Sequence, residues 1–140
     1  MTNELANPWR NLGGGSFVLA SNAARALVNI GLVVGSERAL VVDTGAGPRH
    51  ATEILAAVRT LTALPLVIAN THAHWDHFFG NAVFRAEGAL TDAGTQFWAH
   101  AATARGMAET GSPSGQRLQA WNRRWLPAWG HRPRLCCPHI

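Results

Sequence analysis

The sequence of 140 residues has no lysine and no tyrosine, only two cysteines, and no long apolar run. Because the cysteines, Cys136 and Cys137, are adjacent, they specify no disulfide framework. The apolar stretch "LVNIGLVVG" is broken by Asn29, Gly31 and Gly35, which excludes a transmembrane helix there. The opening "MTNELANPWRNLGGG" lacks a basic region followed by an apolar one, so we expect no secretory signal and a cytoplasmic protein.

Acidic residues are absent from the last part of the chain. All twelve basic residues are arginine; residues 1–109 hold seven of them and all eight acids, whereas residues 110–140 hold five and no acid. The two parts carry net charges of −1 and +5, so the isoelectric point near 11.0 describes the tail rather than the domain. A uniformly basic nucleic-acid-binding surface is therefore not indicated, and we expect neither a nucleic acid nor a membrane as a partner.

What is present is a series of short apolar segments. Three of them, separated by polar or Gly-containing turns, predict strands at residues 16–20, 26–34 and 38–43. The segment that starts at Pro48 repeats apolar residues at helical spacing from Ile54 to Leu61, which predicts a helix. "LPLVIAN" predicts a further buried strand, and a second helix is predicted over residues 95–109. This order of elements predicts an α/β domain.

Metal-type ligands cluster in "NTHAHWDHFFGN", residues 70–81. His72 and His74 are two positions apart at the end of a predicted strand, so their side chains emerge on the same face and can bind one ion. Asp76 and His77 follow where the chain must turn, and they can bind an adjacent ion or the same one. Because zinc takes imidazole nitrogen and carboxylate oxygen, the cluster predicts a site for one or two zinc ions.

The segment "THAHWDHFFGN" resembles the H-x-H-x-D-H motif of the metallo-β-lactamase superfamily of metallohydrolases. The upstream "VNIGLVVGSERALVVDTGAG" is similar to the opening strands of that superfamily, which end in an acidic D-T-G turn, here at Asp43. The resemblance covers roughly residues 13–109. It implies the N-terminal half of an αββα sandwich, with metals at one edge between the two sheets.

The resemblance also implies roles for five residues. His72 and His74 would bind the first zinc ion, Asp76 and His77 would bind the second, and Asp43 would support the ligand loop from behind. Asp76 would also be catalytic, because it would orient the attacking water. The implied activity is hydrolysis of an ester, thioester, amide or phosphoester bond of a small-molecule substrate by a metal-bound hydroxide.

Members of the superfamily complete the site from their second half, with a later His, a bridging Asp and a final His. Residues 110–140 contain no matching motif and no acid. Their candidate replacement ligands are His131, His139, Cys136 and Cys137. Because Arg, Trp, Pro and Cys are enriched together there, our hypothesis is that this tail is disordered or translated out of frame, and that residues 1–109 are a truncated hydrolase domain.

Truncation would expose the sheet face meant for the second sheet, so we predict self-association through that face. With half of its ligands, the site would hold zinc loosely and turn over little or no substrate. One alternative is a non-catalytic fragment that binds zinc weakly. A second is an aspartic-protease-like homodimer, since "ALVVDTGAG" also resembles the strand that carries the catalytic Asp of that class, here Asp43.

Overall fold

The structure is a computed structural model that describes residues 8–23, 26–90 and 94–110. Its six strands form one sheet, in which they lie side by side in chain order. The strands are Trp9–Gly13 (β1), Ser16–Ala23 (β2), Ala26–Val34 (β3), Ala39–Val42 (β4), Leu66–Asn70 (β5) and Gln96–Ala99 (β6). The four helices described are Pro48–Arg59 (α1), Trp75–Phe78 (α2), Asn81–Gly88 (α3) and Ala101–Thr110 (α4).

The pairing of neighbouring strands changes from antiparallel to parallel at β4. The strands β1 to β4 are antiparallel neighbours, whereas β4 pairs in parallel with β5, and β5 pairs in parallel with β6. Parallel neighbours need a crossover connection, and here α1 lies between β4 and β5 while α2 and α3 lie between β5 and β6. The carboxyl ends of β4 and β5 therefore lie at the same edge of the sheet.

One face of the sheet is covered by helices and forms the core. Alternate residues of the central strands point to this face and are completely buried, among them Ile30, Leu32, Val41 and Ile68. They pack with buried residues of α1 and α3: Ala51, Ile54, Val58 and Phe84. Because side chains alternate along a strand, the intervening residues must point to the opposite face.

The opposite face carries apolar side chains that are only partly covered. Leu27 is 81% exposed and Val33 is 40% exposed, and the register places Val33 beside Leu40. We call the face that carries these residues the open face. A six-stranded mixed sheet with one face packed against α1 and α3 confirms the predicted fold class, the N-terminal half of an αββα sandwich.

Two parts of the structure differ from the sequence-based prediction. The helix predicted over 95–109 is a strand, β6, followed by the helix α4, and His100 lies between them. The backbone N–H of Ala102 donates to Nδ1 of His100, so this side chain caps the helix rather than lying within it. The strand β1 and the helices α2 and α3 were not predicted.

Almost all of the predicted tail, residues 110–140, lies outside the described residues, with Thr110 ending α4. The hypothesis about its reading frame therefore stays a prediction. No helix in the described ranges has the length and apolar character needed to cross a membrane.

Candidate metal centre

The four predicted ligands lie in the connection between β5 and α3, at the carboxyl edge of the parallel strands. This ligand loop comprises residues 71–80 and contains α2 as a single helical turn. Asp43 follows β4, the neighbouring strand, and so reaches the same edge. In open α/β sheets this edge is where ligands bind, because the loops that leave adjacent strands converge there.

His72 and His74 form the first pair of donors. The Nε2 of His72 lies 3.1 Å from the Nδ1 of His74. Two nitrogen donors of one tetrahedral zinc ion, each about 2.0–2.1 Å from the metal, lie roughly 3.3–3.4 Å apart. The observed separation is thus close to that of two ligands of one ion, and His74 is exposed to solvent while His72 is half-buried.

Asp76 and His77 form the second pair. The Oδ2 of Asp76 lies 3.8 Å from the Nε2 of His77, and both side chains are partly exposed. The rings of His77 and His72 are 4.0 Å apart between centroids, so the two pairs are adjacent. These are the same two pairs that the resemblance assigns to two ions, and the assignment of metals to them stays a prediction.

Asp43 lies behind both pairs and accepts hydrogen bonds from the ligand loop. Its Oδ1 accepts from the backbone N–H of Thr71 at 2.8 Å, and its Oδ2 accepts from the Thr71 hydroxyl at 2.7 Å and from Nδ1 of His77 at 2.7 Å. The residue is 2% exposed and has a backbone φ of 65°, a conformation that Asp tolerates better than most residues. The carboxylate thus connects the end of β4 to both ends of the ligand sequence.

The bonds of Asp43 determine which ring nitrogens can bind a metal. His77 donates through Nδ1, so its Nε2 carries the free lone pair. The Thr71 hydroxyl gives its only proton to the carboxylate and must accept from the Nδ1 of His72, 2.9 Å away, which places the lone pair of His72 on Nε2, the atom that faces Nδ1 of His74. Such fixing of tautomers by groups behind the ligands is typical of protein metal sites.

The chemistry of these donors fits zinc, but the set is incomplete within the described residues. Among residues 8–23, 26–90 and 94–110, no group of three or more His, Cys, Asp or Glu side chains is arranged to hold one ion. The tail residues proposed as replacement ligands, His131, His139, Cys136 and Cys137, lie outside these ranges. The described residues therefore supply two pairs of candidate ligands, His72 with His74 and Asp76 with His77, rather than a complete ligand set for one ion.

Sequence reasoning missed several residues that build the site. Thr71 links Asp43 to His72, and a buried group of Thr44, Asn70 and Asn81 lies under the loop. One signal was available, because Asn70 occupies the last inward-facing position of a strand whose other inward positions are Leu66 and Ile68. A polar residue at such a position needs a hydrogen-bond partner.

Comparison with known proteins identifies the family of the chain. The family model of the metallo-beta-lactamase superfamily matches residues 24–133, most of the chain. The chain belongs to the metallo-beta-lactamase superfamily. Membership supports a hydrolase-type function, and the match extends beyond the described residues into the basic tail. Among curated proteins, no significant match is found.

Solved structures of the superfamily show the same fold. The metallo-beta-lactamase from Hirschia baltica is 21% identical with a TM-score of 0.56, and the alignment covers 74% of this chain and 47% of that one. The DIM-1 metallo-beta-lactamase is 20% identical with a TM-score of 0.58, and the alignment covers 75% of this chain and 47% of that one. The chain therefore spans about half the length of these enzymes.

Proposed function

We propose that the chain is a zinc-dependent hydrolase of the superfamily by descent, and that its ligand loop carries the first half of a two-metal site. The observation that carries this proposal is the convergence of His72, His74, Asp76 and His77 in front of one buried carboxylate. Superfamily membership supports the same function. The substrate would be a small molecule with an ester, thioester, amide or phosphoester bond.

Each side chain has a distinct task in this proposal. The Nε2 of His72 and the Nδ1 of His74 would hold one ion, and Asp76 with the Nε2 of His77 would hold the other. When bound, zinc acts as a Lewis acid that activates water at neutral pH. In the occupied site the carboxylate of Asp76 would orient a water molecule and accept its proton, since Asp43 is buried and already bonded to Thr71 and His77. Trp75, 46% exposed beside the ligands, can contact the substrate.

Zinc binding is the first property to measure. Purified wild-type protein would be titrated with zinc against a chromophoric chelator, beside a His72→Ala/His74→Ala variant and a His100→Asn control, which removes the imidazole but keeps an acceptor for the N-terminus of α4. His100 is an exposed histidine outside the ligand loop, so its removal tests for non-specific binding. We expect wild type and the control to compete for zinc equally and the double variant to lose that competition. Equal binding by all three proteins would refute the metal site.

The second candidate function is a non-catalytic chain that binds zinc weakly. The incomplete ligand set of the described residues favours it, because an ion held by few ligands is poorly fixed. Hydrolysis assays with chromogenic ester, thioester, amide and phosphoester substrates, run with and without zinc, distinguish the two. Zinc-dependent turnover that the His72→Ala/His74→Ala variant lacks supports the hydrolase, and zinc binding without turnover supports the non-catalytic chain.

The contacts of Asp43 and the matched family argue against the aspartic-protease alternative. That mechanism needs two Asp side chains facing each other across a dimer, sharing one proton. The Asp43 side chain is 3% exposed and its two oxygens are occupied by Thr71 and His77 of the same chain. The matched family is also a different one.

A further inference from the structure

A buried polar cluster joins the two ends of the ligand loop. Asn70 is the last residue of β5 and Asn81 is the first residue of α3, so they immediately flank residues 71–80. Their side-chain amides bond reciprocally: Nδ2 of Asn81 donates to Oδ1 of Asn70 at 2.8 Å, and Nδ2 of Asn70 donates to Oδ1 of Asn81 at 3.2 Å. The pair closes the loop at its base.

The same cluster holds the middle of the loop. The carbonyl oxygen of His77 accepts from the backbone N–H of Thr44 at 2.8 Å and from Nδ2 of Asn70 at 3.3 Å. The Thr44 hydroxyl donates to Oδ1 of Asn81 at 2.7 Å. Thr44, Asn70 and Asn81 are 0%, 4% and 7% exposed, so these bonds are shielded from water. Within the described ranges, no buried side-chain nitrogen or oxygen lacks a hydrogen-bond partner.

Burying three polar side chains is costly unless every group is paired, and an apolar trio would fill the same space more simply. The cluster therefore points to a requirement that packing alone does not meet. Metal ligands must be held close to their working geometry before the ion arrives. Fixing the backbone of His77 and the two ends of the loop limits the positions of all four ligands.

We infer that Asn70, Asn81 and Thr44 form a clamp that positions the ligand loop for metal binding, and that they do so in the metal-free protein. The inference rests on the proposed function for its zinc readout. The three residues are positioning residues, since they contact the loop backbone and each other rather than an ion.

The test uses Asn81→Ala in the full chain, with Val58→Ala as a matched control. Val58 is a completely buried residue near the C-terminal end of α1. Truncating its side chain destabilises the core without changing a residue of the ligand loop. Amide hydrogen exchange of the zinc-free proteins is followed at Thr44, Thr71 and Gly80, whose N–H groups bond across the base of the loop. We expect exchange about tenfold faster in Asn81→Ala than in Val58→Ala at these three amides.

Zinc titration of the same proteins provides the second readout. We expect Asn81→Ala to weaken zinc binding about 10–100-fold, as for other groups behind metal ligands, and Val58→Ala to leave it within about twofold. If the two amides act as one unit, the Asn70→Ala/Asn81→Ala variant should lose no more affinity than either single variant. Additive losses would mean that the residues act separately, which would overturn the clamp.

A further pair of variants covers the case in which Asn81→Ala fails to fold. Thr44→Val keeps the volume of the side chain but removes the hydroxyl, and Thr44→Ser keeps the hydroxyl. We expect accelerated loop exchange in Thr44→Val and near wild-type exchange in Thr44→Ser. The inference would be overturned if amide exchange in the clamp variants were no faster than in Val58→Ala. If the wild-type protein had no zinc affinity, the proposed function would be overturned, and the exchange result alone would decide the clamp.

Discussion

At the scale of single residues, Asp43 holds the ligand loop in place, because its carboxylate accepts hydrogen bonds from both Thr71 and His77. The Asp43→Asn variant keeps the size of the side chain and its tolerance of positive φ, but its amide nitrogen cannot accept a hydrogen bond. One of the donors from Thr71 or His77 is then left without its acceptor, and the tautomers of the ligands are no longer fixed. We expect zinc affinity to fall about 10–100-fold.

Chelator competition measures this loss, with Glu37→Gln as the control. Glu37 is an exposed acid in the turn before β4, so its neutralisation changes the net charge by the same amount without touching the loop. A loss of affinity shared by both variants would indicate a long-range charge effect instead of the specific role of Asp43.

His50 makes the stability of the fold depend on pH. Burial lowers the pKa of its imidazole below the ordinary 6.5, and the nearby Glu53 offsets this in part. The ring accepts a hydrogen bond at Nδ1 from the backbone N–H of Ala46, and protonation there would break that bond. Since the unfolded chain binds this proton more readily, the contribution of His50 is complete above pH 6.5 and is lost as the pH falls through the lowered pKa.

Urea unfolding at several pH values below and above this range tests the prediction. The His50→Asn variant can still accept from Ala46 but does not titrate, so its free energy of unfolding should decline less with acid than that of wild type. His100→Asn, on an exposed histidine, should decline as wild type does. Parallel curves for wild type and His50→Asn would show that another group causes the acid sensitivity.

At the scale of elements, Arg59 joins α1 to α3 and to the chain that follows α1. Its guanidinium pairs with the carboxylate of Glu87, with Nε donating at 2.9 Å, and its Nη1 donates to the carbonyl oxygens of Thr62 and Leu64. Because the side chains of this pair are about three-quarters buried, we expect Arg59→Ala to cost about 1–2 kcal/mol of unfolding free energy.

The same helix supplies the control for this ion pair. Arg49 and Glu53 form an ion pair one turn apart, but the Arg49 side chain is 96% exposed. We expect Arg49→Ala to cost less than about 0.5 kcal/mol, since solvent weakens such pairs. Equal losses in the two variants, measured by urea unfolding, would mean that Arg59 stabilises the helix only through its general properties as a helix residue.

Gly80 shows why the junction between the ligand loop and α3 has no side chain. A Cβ built there would lie 2.0 Å from the carbonyl oxygen of Thr44 and 2.6 Å from the Cβ of Ala51. The close approach lets the Gly80 N–H donate to the carbonyl oxygen of Gly45. Any larger residue would separate the loop from the turn that carries Asp43.

The elements that the sequence predicted are those with strong periodicity. The strands β2, β3, β4 and β5 and the helix α1 lie within a few residues of their predicted bounds, because continuous apolar runs and a 3.6-residue repeat are local signals. The segment Gln96–Ala99 lies within residues 95–109, the range predicted as a helix; its pairing with β5 decides the strand, and that pairing is not local.

The residues of the candidate site likewise fall into those that local sequence predicts and those that it does not. The four ligands were predictable because they lie within six positions of one another. The roles of Asn70, Asn81 and Thr44 were not, because their contacts join residues that are 7 to 37 positions apart and exist only once β4, β5 and α3 are assembled.

At the scale of the whole molecule, the open face leaves apolar side chains of the described strands exposed to solvent. Among the described residues, α1 and α3 pack against the core face of the sheet, and Leu27, Val33 and Leu40 lie on the opposite face. The chain spans about half the length of the matched enzymes. Two copies stacked through this face would place their sheets about 10 Å apart, the spacing of sheets in a sandwich. We therefore propose a second copy of the chain as the occupant.

Light scattering after size-exclusion chromatography tests this proposal over a range of concentrations. We expect wild type to form dimers or larger assemblies, and a Leu27→Glu/Val33→Glu variant to shift toward monomer, because charges cannot be buried between two apolar faces without large cost. Leu90→Glu is the control: Leu90 is 86% exposed and follows α3, away from the open face. If any exposed leucine were enough to cause association, the Leu90→Glu variant would also shift toward monomer. A wild-type protein that is monomeric at all concentrations and unfolds in one cooperative transition would contradict association through this face.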